Sequence, residues 1–295
     1  MNQKFYGMHW MLATPFNADE SVDYASIQKL LSHAIESRCT GVVGLGVMGE
    51  VSKLTDRERN EITKAIISNA GNMPVTIGTT GNSTKVAIER SQEAEQLGAK
   101  AVMISAPAMP KSNLEFLFKH YLDISRSISI PIVMQDYPQV SGVTMPIEFI
   151  TKVANEIPLV KYLKLEDPPT PTKISAIINK TGGKIEIFGG LGGVFLLDEL
   201  KRGSIGAMTG FAYPEILVEI CSKMTSNVKE AEKIFYQYLP LIQFEQQEGI
   251  GLSIRKYGLY NRNFISCPHV RLPGSSINKQ TSEDLISLIK MVGLG

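Results

Sequence analysis

The chain alternates short runs of apolar and β-branched residues with longer segments in which apolar residues recur every three or four positions. The short runs are typical of buried strands, and the longer spacing is typical of helices with one buried face. Helix start signals support this division, as at Thr55, which is followed by Asp56 and Glu58. The clearest predicted helices run from Val22 to Arg38, Thr55 to Ala70, Ser83 to Leu97 and Asn113 to Ile128. The eight predicted strands lie in GMHWMLAT, TGVVGLG, MPVTIGTT, AKAVMISA, IPIVMQD, PLVKYLKLE, KIEIFGG and GSIGAMTG.

Strands that alternate with helices predict a parallel sheet joined by right-handed crossovers. Eight such units favour a closed (β/α)8 barrel, and an open doubly wound sheet stays as the alternative. After about residue 225 the pattern changes to one helix after another, in KEAEKIFYQYLPLIQFEQ, GIGLSIRKYGLYNR and TSEDLISLIKMVG. We therefore predict an α/β TIM barrel catalytic domain over residues 1–225 and a C-terminal helical extension over residues 226–295 that packs on it.

The composition limits the partners and the compartment. The chain has 30 basic and 29 acidic residues, and its lysines and arginines do not cluster in one block. We therefore expect no nucleic acid partner. The three cysteines lie far apart, which is typical of a reducing compartment. No apolar run approaches the roughly 18 residues that span a bilayer, and no signal-peptide pattern is present. We expect a cytoplasmic protein that does not associate with membranes.

Residues 44–49, GLGVMG, satisfy the glycine pattern of a dinucleotide-binding loop directly after a strand. That loop requires a helix that begins inside the motif and an acidic residue at the end of the next strand. Here the helix start at Thr55 follows the additional residues EVSKL, and the next strand, PVTIGTTG, has no acidic residue. We therefore predict no nucleotide cofactor. We predict no metal either, because the histidines are too scattered for a metal triad: His9, His33, His120 and His269.

Two lysines lie on the sixth predicted strand. Lys164 is at its C-terminal end, where the active sites of TIM barrels are found, whereas Lys161 is nearer the start and faces the opposite side. An amine enclosed by barrel walls loses hydration, which favours the neutral form that attacks a carbonyl. From position alone, Lys164 is either such a nucleophile or an ordinary lysine paired with Glu166 or Asp167.

Several motifs agree in kind and order with those of one enzyme family. LATPFN matches the family's TPF segment, and GVMGEVSKLTDRER matches its G-E motif before the second helix. GNSTKVAIERSQEAEQLGAKAVMISAP corresponds to the third helix and fourth strand, YLKLED to the strand with the Schiff-base lysine, and GGLGG to the turn after the seventh strand. The chain thus resembles the dihydrodipicolinate synthase and N-acetylneuraminate lyase family of class I, Schiff-base-forming aldolases. The resemblance implies that Lys164 forms the Schiff base.

The chain departs from this family at the proton relay. Where the family has two hydroxyl residues before G-E, which help to bind the substrate carboxylate and relay a proton, this chain has Val47 and Met48. The tyrosine that serves as proton shuttle on the fifth strand is replaced by Gln135 in QDYP, and Tyr137 is displaced by two residues. The resemblance therefore implies that imine chemistry survives with a different proton carrier.

The candidates for this proton carrier near the strand ends are Tyr137, Asp136, Glu50 and Glu166. We predict Tyr137 and Asp136 as catalytic residues beside Lys164, although each has an alternative as a loop residue. Glu50 either takes part in the site or only caps backbone amides of its loop.

The predicted substrate-binding residues follow the second strand or lie at the ends of the fifth and seventh strands. The backbone amides of Val47 and Met48 can still bind a carboxylate, because that contact needs no side chain. By resemblance, the other predicted substrate-binding residues are Glu50, Gln135, Gly189 and Gly190.

These observations predict a cofactor-free lyase, either an aldolase or a dehydratase, that acts on a small 2-oxo acid such as a 2-keto-3-deoxy sugar acid. A 4-hydroxy-tetrahydrodipicolinate synthase that condenses pyruvate with an aldehyde is the first alternative, and the missing hydroxyl groups argue against it. A non-catalytic 2-oxo-acid-binding barrel is the second. The resemblance also implies a homo-oligomer, commonly a tetramer.

Overall fold

The computed structural model describes residues 5–109 and 111–294 of the chain. Its eight strands form a closed barrel, in which each strand pairs with the next and the last pairs with the first, all in parallel. Each run predicted as a strand contains one of them. The strands are Gly7–Met11 (β1), Gly41–Gly44 (β2), Val75–Gly78 (β3), Ala101–Ser105 (β4), Ile132–Asp136 (β5), Val160–Leu165 (β6), Glu186–Gly189 (β7) and Gly206–Thr209 (β8).

Helices follow the strands and continue beyond the barrel. Local capping explains where several of them begin: Thr55 and Glu58 form a reciprocal capping box at the second helix, and the Asn113 side chain accepts from two backbone amides at the fourth. The barrel helices are Tyr24–Glu36 (α1), Asp56–Asn69 (α2), Thr84–Leu97 (α3), Leu114–Ser125 (α4), Pro138–Ser141 (α5), Ile147–Glu156 (α6), Thr170–Thr181 (α7), Leu196–Lys201 (α8) and Pro214–Ser226 (α9).

The helices predicted after residue 225 are Val228–Phe244 (α10), Gly251–Asn261 (α11) and Lys279–Met291 (α12). Helix α10 packs against α8 and α9, and α12 packs against α10 and α11. The prediction of a TIM barrel with appended C-terminal helices is confirmed.

The segment that joins β2 to α2 is made of two single turns of 3-10 helix, Val47–Gly49 and Val51–Lys53. The α-helix begins only at Asp56, as the sequence predicts. The GLGVMG motif therefore does not lead directly into an α-helix, which the dinucleotide-binding loop requires.

The parallel register brings three side chains level with one another inside the barrel. Lys164 on β6 is paired with Gln135 on β5 and with Phe188 on β7. Because residues alternate between the two faces of a strand, Lys164 is buried whereas Lys161 is exposed. Within the described residues, none of the helices has the length and apolar character needed to cross a membrane.

Candidate active site

A buried ion pair lies at the C-terminal end of β6. The Lys164 Nζ is 2.9 Å from Glu166 Oε2, and the two side chains are 3% and 8% exposed. The residues are two positions apart at the end of a strand, so their side chains point to the same side, into the barrel. The Lys164 Nζ also lies 2.9 Å from the Met11 Sδ on β1. The amine is thus held between one carboxylate and apolar barrel walls.

The Glu166 carboxylate is fixed by further hydrogen bonds. Gln135 Nε2 donates to Glu166 Oε2 at 2.7 Å, and the Leu191 backbone N–H donates to Oε1 at 3.3 Å. The Gln135 amide is itself oriented by Ser105, whose hydroxyl donates to its Oε1 at 2.7 Å. Gly190 leaves room for this arrangement, because a Cβ there would lie 2.3 Å from Glu166 Cγ. One carboxylate oxygen is therefore shared by Lys164 and Gln135.

A cavity of about 410 Å³ opens above this pair, at the C-terminal end of the barrel. It is larger than a three-carbon acid requires and falls in the range of pockets that bind small molecules. The second, fifth, seventh and eighth strand ends and the C-terminal helices all contribute to its wall. Its polar lining residues are Tyr137, Gln139, Lys164, Glu166, Thr209, Glu245, Gln246, Gln247, Glu248 and Arg255.

The 3-10 turn Val47–Gly49 forms one wall of the cavity with apolar side chains. Val47 is 43% exposed, whereas Met48 is buried. Among residues 5–109 and 111–294, neither backbone N–H of Val47 and Met48 has a hydrogen-bond partner. Two amide donors therefore remain available at this wall.

A sequence model of the dihydrodipicolinate synthetase family matches residues 4–292. The chain belongs to this family. It is accordingly a lyase of the Schiff-base-forming class I aldolase type, as the sequence predicts.

Relatives of the dihydrodipicolinate synthetase family include enzymes with different named activities. The chain is 30% identical over 293 residues to an L-2-keto-3-deoxyarabonate dehydratase of Azospirillum brasilense, with 96% of this chain and 93% of that protein covered. It is also 30% identical over 296 residues to a 4-hydroxy-tetrahydrodipicolinate synthase of Fervidobacterium nodosum, with 98% and 99% covered.

Solved structures in this family have nearly the same backbone. The dihydrodipicolinate synthase of Rhodopseudomonas palustris superposes with a TM-score of 0.92 at 31% identity, over 97% of both chains. The chloride-inhibited enzyme of Acinetobacter baumannii, complexed with pyruvate, gives a TM-score of 0.92 at 26% identity, over 99% of this chain and all of that one.

Tyr137 lies where the sequence places it, on the wall of the cavity. Its side chain is half-buried, and its hydroxyl has no hydrogen-bond partner in the part of the chain that the structure describes. Burial raises its pKa, and the nearby Glu166 charge acts in the same direction. The phenol therefore stays protonated at neutral pH and can donate to a bound substrate.

Asp136 does not join the cavity, contrary to the expectation that it is catalytic. It follows Gln135 on the strand and so points to the opposite face, towards α7, where its Oδ2 lies 2.6 Å from the Lys173 Nζ. The same ammonium group lies 2.8 Å from Asp167 Oδ2. Burial raises the pKa of Asp136 to about 6, while Lys173 acts against this shift. The pair fixes the outer side of the barrel behind the site.

Glu50 is also absent from the cavity wall, contrary to the expectation that it binds substrate. It is fully paired below the 3-10 turn: its Oε2 lies 2.9 Å from the Lys53 Nζ and accepts from the Arg271 backbone N–H at 3.0 Å. Its Oε1 accepts from the buried Lys256 on α11. Glu50 therefore anchors the turn to the C-terminal extension, and it caps an amide of that extension rather than one of its own loop.

In the glycine turn after β7, the residue that reaches the cavity wall is not one of the two that the sequence predicts. Gly189 faces outwards, since a Cβ there would overlap the carboxylate of Glu199 behind the barrel. Gly190 makes room for Glu166, and Gly192, rather than Gly189, reaches the cavity wall.

The sequence prediction missed the part of the cavity wall that comes from the end of the chain. Gln246 and Arg255 lie in the C-terminal extension, which we expected only to pack on the barrel. A signal is present in GIGLSIRKYGLYNR, where two adjacent charges interrupt an apolar helical segment. Buried charges are rare unless they are paired or functional, so this pair identifies a place to search.

Proposed function

We propose that this member of the dihydrodipicolinate synthetase family is a cofactor-free dehydratase of hydroxylated 2-oxo acids, such as 2-keto-3-deoxy sugar acids. The observation that carries the proposal is the contact between Lys164 and Glu166, because it puts a carboxylate beside the atom that would form the imine. The named activity of the A. brasilense relative is of the same kind.

The proposed reaction begins with imine formation. The Lys164 nitrogen, an ammonium in the ion pair with Glu166, bonds to the C2 carbon as two of its protons pass to the carbonyl oxygen, which leaves as water. This gives a protonated imine and leaves Glu166 ionised, while the backbone amides of Val47 and Met48 hold the substrate carboxylate. The imine withdraws electrons from C3 and makes the C3 proton acidic. We infer that Glu166, whose Oε2 is 2.9 Å from the Lys164 Nζ, takes this proton, which leaves an enamine.

The elimination step returns the same proton. The enamine expels the C4 hydroxyl, and the protonated Glu166 donates to it, so that one water leaves and a conjugated imine forms. Hydrolysis of this imine releases the dehydrated 2-oxo acid and restores Lys164. A single carboxylate thus acts first as base and then as acid, which replaces the relay of hydroxyl groups that the resemblance implies for other members.

Condensation in the manner of 4-hydroxy-tetrahydrodipicolinate synthase fits the site less well. The places expected to hold the hydroxyl relay are apolar at Val47 and Met48, and Gln135 is occupied by its bonds to Glu166 and Ser105. Tyr137 is the one phenol on the cavity wall among the described residues, and we propose that it donates to a substrate oxygen.

The first experiment tests the imine. Pyruvate with borohydride should add a stable mass to the protein, read by intact mass spectrometry, and Lys164→Ala should abolish it. Lys161→Ala, on the exposed face of the same strand, is the matched control and should retain it. An adduct that persists in Lys164→Ala would show that another lysine reacts.

The second experiment separates imine formation from elimination. Glu166→Gln should keep the pyruvate adduct but lower dehydration of 2-keto-3-deoxypentonates by at least about a hundredfold, because general acid–base catalysis typically contributes 10²–10⁴. Tyr137→Phe should lower the rate of dehydration by less than Glu166→Gln does. Release of pyruvate instead of a dehydrated acid would identify an aldolase.

The oligomeric state is a separate proposal that rests on the family resemblance alone. We propose a homo-oligomer, commonly a tetramer in this family, and light scattering after size-exclusion chromatography would measure its mass.

A further inference from the structure

The far wall of the cavity carries a cation that the proposed dehydration does not use. Arg255 projects from α11, its side chain is 14% exposed, and its Nη2 donates to Gln246 Oε1 at 2.6 Å. Gly192 permits this arrangement: at its φ of +69°, a Cβ would lie 2.3 Å from Gln246 Oε1 and 2.9 Å from Arg255 Nη2. Three separate parts of the chain therefore converge on one polar corner of the cavity.

Arg255 has more donors in this corner than the protein satisfies. Its Nε is buried without a hydrogen-bond partner, since the nearest carboxylate oxygen, of Glu245, is 3.6 Å away. Its Nη1 likewise has no partner within residues 5–109 and 111–294. The buried Nε faces Glu245 and is closed to a ligand, whereas Nη1 is not buried and is the donor that a ligand in the cavity can take.

The charges around the cavity decide which acceptor fits best. Two cationic side chains, Lys164 and Arg255, face three acidic ones, Glu166, Glu245 and Glu248. The substrate already brings one carboxylate, so a second carboxylate would add negative charge that no further cation balances among the described residues lining the cavity. Gln246 is the neutral group that contacts Arg255, and the other neutral polar residues that line the cavity are Gln139, Thr209 and Gln247. Amide and hydroxyl side chains of this kind suit a neutral oxygen acceptor such as an alcohol.

We propose that Arg255, oriented by Gln246, binds the hydroxyl groups at the end of the substrate remote from the 2-oxo group. It selects hydroxylated monocarboxylic 2-oxo acids over unhydroxylated acids and over dicarboxylic acids of the same length. The inference rests on the proposed function and names its substrate class. It also gives the C-terminal extension a role in specificity.

The test compares four 2-oxo acids in borohydride trapping: 2-keto-3-deoxypentonate, 2-oxopentanoate, 2-oxoglutarate and pyruvate. The first three have the same number of carbons and differ only at the remote end. The readout is the acid concentration that gives half-maximal modification of the protein, with adducts of substrate and dehydrated product summed. The wild-type protein should require the least of the hydroxylated acid.

Arg255→Met should raise this concentration about tenfold or more for the hydroxylated acid, the loss expected for a hydrogen bond from a charged donor. The values for 2-oxopentanoate and pyruvate should stay within about twofold, because neither acid reaches Arg255 with an acceptor. Arg255→Lys keeps the charge but loses the planar fork, and it should retain only part of the preference. Gln246→Leu should shift the preference in the same direction as Arg255→Met, by a smaller factor. It provides the test of the inference if the arginine variants fold poorly.

The outcomes separate this inference from the proposed function. Absence of any adduct in the wild-type protein would refute the Schiff-base proposal. Normal pyruvate trapping with no change of preference in Arg255→Met and Gln246→Leu would overturn the inference alone. A wild-type preference for 2-oxoglutarate that is lost in Arg255→Met would show that the corner binds a carboxylate instead. An equal loss for all four acids would show that Arg255 supports the fold of the cavity rather than the remote end of the substrate.

Discussion

The Glu166 carboxylate is surrounded by donors of three kinds: an ammonium group, a side-chain amide and a backbone amide. The side-chain amide belongs to Gln135, and it can present either its oxygen or its nitrogen to a neighbour. The Glu166 carboxylate removes this ambiguity, because it only accepts and so takes the nitrogen, and the Ser105 hydroxyl then donates to the Gln135 oxygen. Gln135 is therefore a positioning residue for the proposed acid–base group.

Replacing Gln135 by Leu should lower turnover and leave imine formation intact. The change removes one hydrogen bond to a charged acceptor, which corresponds to a loss of about ten- to a hundredfold in kcat. Ser105→Ala should cause a smaller loss, because it frees the amide to rotate without removing it. The measurements are kcat for dehydration and pyruvate trapping by mass spectrometry. A parallel loss of trapping would show instead that Gln135 supports Lys164.

At the scale of elements, helix α11 connects two walls of the cavity through adjacent residues. Arg255 faces the cavity, whereas Lys256 is fully buried under the 3-10 turn and bonds to Glu50. The Lys256 Nζ also lies 4.4 Å from the ring centroid of Phe16, a cation–π contact. The backbone at Glu50 has a φ of 53°, the left-handed region, so this turn depends on the contacts that hold it.

Replacing Lys256 by Met should destabilise the protein by about 3 kcal/mol, because it leaves the buried Glu50 with one fewer cation. Lys53→Met is the matched control and should cost less, since Lys53 is 20% exposed and its removal leaves the buried pair intact. Urea denaturation measures both values.

A second variant tests the cause of this loss. Glu50→Gln in the Lys256→Met background should recover part of the lost stability, because it removes the uncompensated charge. If the double variant is as unstable as the sum of the two single ones, the loss comes from packing rather than from charge.

At the scale of the whole molecule, the barrel carries acidic groups buried behind and beside the site. Burial raises the pKa of Glu199 to about 7, while a hydrogen bond from the Thr170 hydroxyl acts against this shift. The folded protein therefore holds the Glu199 proton more tightly than the unfolded chain does. Stability contributed by this proton is present at low pH and is lost as the pH rises from about 4.5, the ordinary pKa, to about 7.

Replacing Glu199 by Gln should stabilise the protein relative to wild type at high pH and have little effect at low pH. The difference in unfolding free energy should grow by about 3 kcal/mol between pH 4.5 and pH 8, because a shift of this size costs about 1.4 kcal/mol per pKa unit. Denaturation of both proteins across this range measures it. Thr170→Val is a control with the opposite effect on the pKa of Glu199. It removes the hydrogen bond that lowers this pKa, so the loss of stability of this variant with rising pH should continue to higher pH than in the wild type. A constant difference between wild type and Glu199→Gln would mean that the folded protein keeps Glu199 ionised.

The barrel and its elements follow closely from the local sequence. Each predicted apolar run contains one strand, because a buried strand needs only a few consecutive apolar residues. Thr55 predicts the start of α2, because helix capping is a contact between residues that are near neighbours in the chain. The same local pattern places Lys164 at the buried end of β6 and Lys161 on the outside.

The partners of these side chains depend on contacts between distant parts of the chain. Alternation shows that Gln135 and Asp136 point in opposite directions, but only closure of the barrel shows that Gln135 is the one inside. Glu50 bonds to Lys256, which is 206 residues further along the chain. Arg255 reaches the cavity for the same reason, since α11 supplies part of the cavity wall. The sequence thus determines the elements and the position of the candidate lysine, because those depend on short-range periodicity. The tertiary structure alone decides which charges meet, because pairing of buried groups is set by long-range packing.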